Sequence, residues 1–280
     1  MKIVNIYGGL GNVLFQICLA LRLRELGHIV KIDTLGLDNT FRDKVIFFLS
    51  KCNIGLEECS SAERYQCCRA VSKKRVKAKE LKFLKLLFPK KIYLEEQWGS
   101  VPNDGYNYYF GYFQNIELAK KYSDIFKFGL ELIAFENNFE LHENGHCFVH
   151  VRRGDYCTPE ALAVHGIVGE EYYNTAISNF SEDMKFDIYS NDLDWVKVNL
   201  NIPNIHTMDD VGYKYPDIVD LYRMSKYKNG IIANSTFSFW AALIGTNSSQ
   251  KNIVCPEQWF AKTQLQELTF NLKNSEWIYK

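Results

Sequence analysis

After its first two residues the chain reads Ile3-Val4-Asn5-Ile6-Tyr7-Gly8-Gly9-Leu10-Gly11-Asn12, and this stretch decides the fold class. The apolar run 3–7 predicts a short buried strand, and the glycines after it predict a tight loop. Apolar residues then recur at helical spacing over 13–26, Gly27 stands where a helix usually ends, and 28–33 reads as a second strand. A strand, a helix and a strand in this order predict a parallel sheet covered by helices.

The second half of the chain repeats this alternation. Strands are predicted at 148–151, 186–190 and 230–233, and helices at 170–180, 216–226 and 237–244. The polar stretch 136–145 separates the halves. We therefore expect two α/β domains, 1–140 with the glycine-rich loop and 141–280.

Composition excludes several classes of protein. The 280 residues carry 33 basic and 33 acidic side chains, and this balance argues against a general nucleic-acid binder. None of the eight cysteines stands in a CxxC pair or at zinc spacing, so we expect reduced thiols of a cytoplasmic protein. We expect neither a signal peptide nor an apolar run of about 20 residues that could span a bilayer.

The most informative segment of the second half is His150-Val151-Arg152-Arg153-Gly154-Asp155-Tyr156, which follows a strand. Guanidinium groups match phosphate oxygens in their geometry, and glycine permits a sharp turn. At the carboxyl end of a strand in an open α/β sheet, these residues predict an anion site. The alternative is a surface turn held by an Arg–Asp ion pair.

A second candidate anion site is Asn234-Ser235-Thr236, between a predicted strand and a predicted helix. Hydroxyl groups at a helix start cap the free backbone N–H groups, and this capping needs no ligand. The same N–H groups also attract phosphate. Two such sites in one half of the chain predict a diphosphate held between them.

Two weaker patterns favour other functions. Gly9-Leu10-Gly11, with Asp33 at the end of the next strand, resembles the start of a dinucleotide-binding fingerprint, although Leu14 replaces its third glycine. This pattern would suit an NAD-dependent oxidoreductase. Asp192-x-Asp194 could hold a divalent metal, as in metal-dependent transferases, or could equally cap a helix.

The segment 73–91 is basic, with apolar residues at helical spacing. It predicts an amphipathic helix with Val76, Leu81, Leu84, Leu87 and Phe88 on the apolar side. Such a helix either presents a solvated basic face or lies on an anionic membrane surface.

Six segments stand in order along the chain. They are Gly8-Gly9-Leu10-Gly11-Asn12-Val13-Leu14-Phe15-Gln16, Gly111-Tyr112-Phe113-Gln114, 150–156, His165-Gly166 with Glu171-Tyr172-Tyr173, Tyr189-Ser190-Asn191-Asp192-Leu193-Asp194-Trp195 and Ile232-Ala233-Asn234-Ser235-Thr236-Phe237-Ser238-Phe239-Trp240. Together they resemble the motifs of the bacterial α-1,2-fucosyltransferases, glycosyltransferase family 11. Val13 departs from the family's glutamine, and Asn191 replaces an acid, which weakens the case for metal.

The resemblance implies a GT-B-like architecture, with two Rossmann-like domains that face a cleft, the first on the acceptor side and the second binding the nucleotide-sugar. It implies inverting transfer of L-fucose from GDP-β-L-fucose to the 2-hydroxyl of a terminal galactoside, with no metal or other cofactor. The acceptor would be a bacterial surface glycan of the O-antigen or capsule type, in free or lipid-linked form. The segment 73–91 could contact the cytoplasmic face of the inner membrane. A carbohydrate-binding protein without turnover is the non-enzymatic alternative.

The resemblance also assigns roles. Arg152 would stabilise the charge that develops on the β-phosphate, and Arg153 would orient it or donate as well. Donor binding would extend to Gly11, Asn12, His150, Asp192, Asn234, Ser235, Thr236 and Ser238. The first two of these would approach the sugar and phosphate from the amino-terminal domain. His150 and Asp192 would contact guanosine.

The acceptor hydroxyl needs a base. Asp155 is the candidate within the matched motif, but it could equally pair with Arg153 and shape the turn. His165 is the second candidate.

Overall fold

The computed structural model describes residues 1–70, 76–139, 145–200, 202, 205–207, 212–244, 251–261 and 263–280. It divides into two compact units, Met1–Gly129 (unit 1) and Leu130–Lys280 (unit 2). The domain boundary expected between 140 and 141 lies outside the described residues.

Unit 1 alternates strands and helices. Its elements are β1 (Lys2–Asn5), α1 (Leu10–Glu25), β2 (Val30–Asp33), α2 (Asn39–Lys51), β3 (Glu57–Glu58), α3 (Ser61–Cys68), α4 (Ala78–Leu87), β4 (Ile92–Leu94), β5 (Tyr108–Phe110) and the first part of α5 (Ile116–Asn137). Within the described residues the strands form one parallel sheet in the order β3-β2-β1-β5-β4. Helix α1 starts earlier than predicted, so Gly11 and Asn12 lie in its first turn.

The strand order in unit 1 reverses at β1. From β1 the chain proceeds through β2 to β3 on one side, whereas β5 pairs with β1 on the other side. In an open parallel sheet, the carboxyl ends of the strands at such a reversal border a crevice that suits a ligand. The glycine loop after β1 and the segment 111–114 after β5 therefore meet at this crevice.

Asp33 has a structural role, which contradicts its interpretation as a ribose-binding acid. The side chain is fully buried, and its Oδ2 lies 3.4 Å from Nη1 of the buried Arg64. The hydroxyl of Tyr108 donates to the same oxygen over 2.6 Å. Because Asp33 is buried and already bonded to Arg64 and Tyr108, it is not placed to bind a ribose, and the NAD interpretation lacks the acidic residue that it needs.

The basic segment 73–91 forms a shorter helix than predicted. Residues 73–75 lie outside the described residues, α4 covers only Ala78–Leu87, and a turn follows before β4. Leu81 is in the core and Leu84 packs against it. Leu87, which was predicted on the apolar side, is instead 55% exposed.

Unit 2 repeats the architecture. After the rest of α5, its elements are β6 (His146–Val151), a 3-10 turn (Gly154–Cys157), α6 (Pro159–Leu162), α7 (Glu170–Ile177), β7 (Lys185–Ser190), α8 (Leu193–Asn199), β8 (Ile205–Thr207), α9 (Pro216–Ser225), β9 (Asn229–Ile231), α10 (Thr236–Ile244), β10 (Asn252–Cys255), α11 (Thr263–Gln266), a 3-10 helix (Glu267–Leu272) and β11 (Ile278–Tyr279). The described strands form a parallel sheet in the order β11-β10-β9-β6-β7-β8.

The reversal of strand order in unit 2 lies between β6 and β9. Val149 is in register with Ile231, so the arginine pair after β6 and the Asn234 turn after β9 leave the sheet side by side. Two parallel sheets with helices between their strands confirm the prediction of two Rossmann-like α/β domains.

Two further expectations concern cysteines and membranes. Each of the eight cysteines is a free thiol; seven are buried and Cys157 is exposed. Among the helices in the described part of the chain, none combines the length and the apolar character needed to cross a bilayer.

Candidate functional site

The turn after β6 fixes Arg153 against the loop after β7. The backbone N–H of Arg153 donates to Oδ1 of Asn191 over 2.9 Å, and its Nε donates to Oδ2 of Asp192 over 3.1 Å. Its guanidinium also lies 4.1 Å from the ring centroid of Trp195. One backbone contact and two side-chain contacts hold this residue, so Arg153 is placed to orient the turn.

Gly154 is required for this turn. Its φ is +46°, and a Cβ here would lie 2.3 Å from Nδ2 of Asn191. A larger residue would therefore strain the backbone and displace Asn191. The ion pair of the turn joins Arg153 to Asp192, and the side chain of Asp155 lies outside the described residues.

Arg152 is half-buried and belongs to a stack of aromatic rings. Its guanidinium lies 5.2 Å from the ring centroid of Tyr156. The Tyr156 ring stacks on His165 with centroids 5.0 Å apart, and His165 lies 5.6 Å from Phe260. A cation–π contact of this kind orients the guanidinium without neutralising its positive charge.

His150 supplies a neutral, buried imidazole beside the arginines. Burial, and then the charge of Arg152, lower the pKa of His150 to about 3. Its Nδ1 has no hydrogen-bond partner within the described residues, and its ring lies 5.7 Å from that of Phe237. A buried ring nitrogen without a partner is costly, so a ligand that supplies the hydrogen bond would be favoured here.

The turn after β9 presents polar groups at the next strand end. Nδ2 of the buried Asn234 donates to the carbonyls of His165 and Trp259, while its Oδ1 lacks a partner in the described part of the chain. Oγ of Ser235 accepts from the N–H of Phe237 over 3.3 Å, and α10 begins at Thr236. The start of α10 therefore lies beside the arginine turn.

Ser238 lies beneath this turn. Its side chain is fully buried, and its Oγ donates to the carbonyl of Ser235 over 3.2 Å. Ser238 holds the turn, and its expected contact with a donor stays a prediction.

A cavity of about 390 Å³ lies next to these residues within unit 2. His165, Gly166, Glu171, Tyr172, Asn234 and Gln258 are among the residues that line it. This volume is in the range of small-ligand pockets. The hydroxyl of Tyr172 donates to the carbonyls of Ile232 and Val254, which ties the wall of the cavity to the ends of β9 and β10.

Asp192 does not resemble a metal ligand. Its Oδ1 caps α8 by accepting from the N–H of Trp195, and its Oδ2 pairs with Arg153. The helix-cap interpretation of this acid is therefore confirmed. Among the described residues, His, Cys, Asp and Glu side chains form no group of three or more that could hold a metal ion.

Unit 1 holds the remaining predicted residues, Gly11 and Asn12. Oδ1 of Asn12 accepts from Nε2 of Gln114 over 2.9 Å. The fully buried Gln16 bonds both backbone groups of Tyr7 and the carbonyl of Gly111. The glycine loop is thereby joined to the segment after β5, and all the other predicted site residues lie in unit 2.

Sequence reasoning missed several residues that shape these sites. Tyr156 and Trp195 belong to the motifs but had no predicted role, because their contacts with the arginines depend on the fold. Glu95 and Trp98 stand in no motif, and no signal in the sequence marked them.

The structure has two α/β units, and in unit 2 an arginine pair and a helix start stand at the strand reversal of the sheet. The sequence profile of Glycosyl transferase family 11 matches residues 92–280, and the chain belongs to this family. It is therefore a glycosyltransferase, as predicted from the motifs.

Two relatives from Escherichia coli match along almost their whole length. The O-antigen biosynthesis glycosyltransferase WbnK is 30% identical, over 94% of this chain and 96% of the relative. An alpha-1,2-colitosyltransferase is 29% identical, over 99% of this chain and 97% of the relative. Among solved structures, the NodZ alpha-1,6-fucosyltransferase soaked with GDP-fucose matches 87% of this chain and 92% of its own, with a TM-score of 0.47 and 14% identity.

Proposed function

We propose that this chain is an inverting α-1,2-fucosyltransferase that uses GDP-β-L-fucose and a terminal galactoside in the synthesis of an O-antigen. The observation that carries the proposal is the placement of Arg152 beside the start of α10, at the ends of the adjacent strands β6 and β9. This placement suits a diphosphate. The relative WbnK, named for O-antigen biosynthesis, supports the pathway.

Arg152 is the proposed catalytic residue. When the bond from C1 of fucose to the phosphate oxygen breaks, GDP leaves with the electron pair, and negative charge develops on the β-phosphate. A guanidinium that is already oriented stabilises this charge without reorganising. Arg153 positions the turn, and Ser235, Thr236 and the start of α10 provide further hydrogen-bond donors.

The acceptor oxygen attacks C1 on the face opposite to GDP, which inverts the anomeric centre. A base takes the proton of the 2-hydroxyl as the new C–O bond forms. Asp155 is the first candidate because only Gly154 separates it from the arginine pair. His165, which stacks on Tyr156, is the second.

Guanosine contacts are assigned to His150 and Asp192. The unpaired Nδ1 of the neutral His150 supports the first assignment, since a base or ribose group could satisfy it. We also propose that Gly11 and Asn12 contribute to donor binding, that transfer needs no metal and that the reaction takes place in the cytoplasm.

The test is incubation with GDP-fucose and a panel of β-galactosides, with products analysed by mass and by linkage. Fucose should appear on O2 of galactose, and activity should survive EDTA. Transfer to another hydroxyl, or hydrolysis of the donor with every acceptor, would contradict the proposal. Activity that EDTA abolishes and Mn²⁺ restores would contradict the metal-independent mechanism.

GDP-colitose should be compared directly with GDP-fucose as a donor, because one relative is an alpha-1,2-colitosyltransferase. Colitose is L-fucose without the 3-hydroxyl, so GDP-fucose and GDP-colitose can compete in one reaction. A preference for GDP-colitose would change the sugar that is transferred and leave the roles of the arginines as proposed.

We further propose that α4 contacts an anionic membrane surface. Phe83 and Leu86 are 63% and 78% exposed, and Lys79 and Lys82 are exposed on the same helix face. Apolar side chains flanked by lysines suit an interfacial helix. Lys85 already pairs with Glu96, which makes Lys82 the better residue for a charge reversal.

Vesicle co-sedimentation tests this contact. Phosphatidylglycerol vesicles should retain the protein better than phosphatidylcholine vesicles, and Lys82→Glu combined with Leu86→Ser should abolish the difference. Lys185→Glu, which reverses an exposed charge in unit 2, is the matched control. Equal retention by both vesicle types would refute a membrane role for α4.

A further inference from the structure

Four aromatic side chains gather at the strand reversal of unit 1, and we call them the aromatic cluster: Tyr7, Trp98, Phe110 and Tyr112. The Tyr7 ring stacks on Phe110, with centroids 4.8 Å apart and planes 12° apart. It also lies 4.7 Å from the ring of Tyr112, and Trp98 lies 5.3 Å from Tyr112 on a tilted plane. The cluster thus forms a continuous group of rings beside the glycine loop.

Three rings of the cluster are less buried than their aromatic neighbours along the chain, whereas Tyr7 is itself buried. Tyr108, Tyr109 and Phe113 are fully buried and belong to the packed interior of unit 1. Phe110 and Tyr112 alternate with them and are only half-buried, and Trp98 is half-buried as well. Trp98, Phe110 and Tyr112 therefore form a partly exposed aromatic surface at the edge of the core, against which Phe110 also packs.

Glu95 fixes the backbone that carries the cluster. Its carboxylate accepts hydrogen bonds from the N–H groups of Gly99, Tyr112 and Phe113, over 2.8, 2.6 and 3.0 Å. A Cβ on Gly111 would lie 2.5 Å from Cβ of Glu95, so only glycine fits beside the carboxylate. The segments that carry Trp98 and Tyr112 are thereby tied to one side chain, which holds both rings in place.

A chain of amide hydrogen bonds connects the cluster to the glycine loop. Nε1 of Trp98 donates to Oε1 of Gln114 over 3.0 Å, and Nε2 of Gln114 donates to Oδ1 of Asn12. The three side chains come from separate segments, yet their hydrogen bonds fix a common geometry. Polar amides therefore border the apolar rings at the carboxyl edge of the sheet.

The chemistry of this surface matches a saccharide. A pyranose presents C–H groups on one face and hydroxyl groups around its rim, which suits aromatic rings bordered by amides. The carboxylate of Glu95 is occupied by hydrogen bonds from three backbone N–H groups, so the surface does not offer an ionic partner. A neutral amphipathic ligand fits better than a phosphate or an ammonium group.

We propose that the aromatic cluster binds the acceptor saccharide, with the ring of the terminal galactose stacked on Trp98 or Tyr112. This inference rests on the proposed function, because it assigns a surface to the acceptor of that reaction. Trp98 and Tyr112 contact the substrate, whereas Glu95 and Gln114 are positioning residues.

The experiment compares acceptor and donor kinetics in ring-deletion variants. Trp98→Ala and Tyr112→Leu should each raise KM for a β-galactoside about tenfold, and the combined variant should raise it further. In Tyr112→Leu, KM for GDP-fucose and the hydrolysis of GDP-fucose without acceptor should stay within twofold. The donor comparison uses this variant because Trp98→Ala also removes the hydrogen bond that holds Gln114 against Asn12. Tyr112→Phe keeps the ring and should keep the acceptor KM, and Phe128→Leu, which replaces an exposed ring elsewhere in unit 1, is the matched control.

An unchanged acceptor KM in both ring-deletion variants would overturn the inference, and so would a rise confined to the donor KM. The unmodified enzyme provides a second measurement that does not depend on how the variants fold. With GDP present, saturation of aromatic protons should transfer to the protons of a bound β-galactoside, and its absence would also overturn the inference. A wild-type enzyme that transfers no fucose to any galactoside would instead refute the proposed function.

Discussion

The two strand reversals of this molecule have the same topology and opposite chemistry. In unit 1 the crevice between β1 and β5 is bordered by aromatic rings and amides, with its carboxylate turned into backbone N–H groups. In unit 2 the crevice between β6 and β9 is bordered by two guanidiniums and a helix start. Sheet topology thus sets the position of each crevice, and the residues just beyond the strands set its chemical character.

Burial acts on a titratable group at each crevice, with opposite effects on the pKa. In unit 2, burial and Arg152 lower the pKa of His150, which keeps the imidazole neutral. In unit 1, burial raises the pKa of Glu95, although its three hydrogen bonds from backbone N–H groups lower it in part. Both shifts act in favour of the uncharged form of the group.

The largest effect should come from the arginine in unit 2. Arg152→Ala should lower kcat by on the order of 100-fold or more, because the developing charge on the β-phosphate loses its donor. Rates with saturating GDP-fucose and galactoside, and circular dichroism of the variant, would measure this. Normal turnover of the Arg152→Ala enzyme would contradict the role of the unit 2 crevice in stabilising the charge on the β-phosphate.

A matched pair of glycine substitutions tests whether the two crevices bind different substrates. Gly154→Ala strains a backbone with φ +46° and displaces Asn191, whereas Gly111→Ala pushes into Glu95. Each substitution should lower the free energy of unfolding by about 1–3 kcal/mol, the first through backbone strain and the second through steric overlap. Gly154→Ala should weaken GDP binding in calorimetry, and Gly111→Ala should raise the acceptor KM.

The control for the glycine pair is Gly169→Ala. A Cβ at this position meets no atom within 4 Å, and its backbone is extended. It should change stability less than either of the other two substitutions. If Gly154→Ala and Gly111→Ala both impaired donor and acceptor binding equally, the division of labour between the two crevices would be wrong.

A pH titration of stability tests the environment of His150. Because its pKa is lowered in the folded protein, the unfolded chain binds the proton first as the pH falls. The stabilising contribution is complete above about pH 6.5 and is lost as the pH falls toward 3. Over this window His150→Asn should remove up to about 1.4 kcal/mol per pH unit from the slope of the unfolding free energy.

Urea unfolding of the two proteins at several pH values provides the measurement. The comparison uses the difference between the two curves, so that carboxylates elsewhere cancel. Equal slopes would mean that the imidazole is accessible to solvent and gains a proton in the folded state.

The sequence predicted the elements whose determinants are local. The alternation over 3–33 predicted the first strand, helix and strand, and the hallmark at 150–156 predicted a turn at the end of a strand, since both depend on neighbouring residues. Asp33 was misjudged because its partner Arg64 comes from α3, far along the chain. The Trp98–Gln114–Asn12 chain could not be foreseen either, since it exists only once β5 pairs with β1.

The smallest expected effect uses Cys157 as a reporter. It is the exposed thiol among the eight cysteines and stands in the 3-10 turn that follows the arginine pair. A bulky thiol reagent should modify it first, and saturating GDP should slow this reaction several-fold if the nucleotide covers the turn. A β-galactoside without GDP should leave the rate unchanged, because its proposed site lies in unit 1. Protection by the galactoside alone that is as strong as protection by GDP would show that the acceptor binds mainly at the arginine turn, and would contradict the assignment of the aromatic cluster.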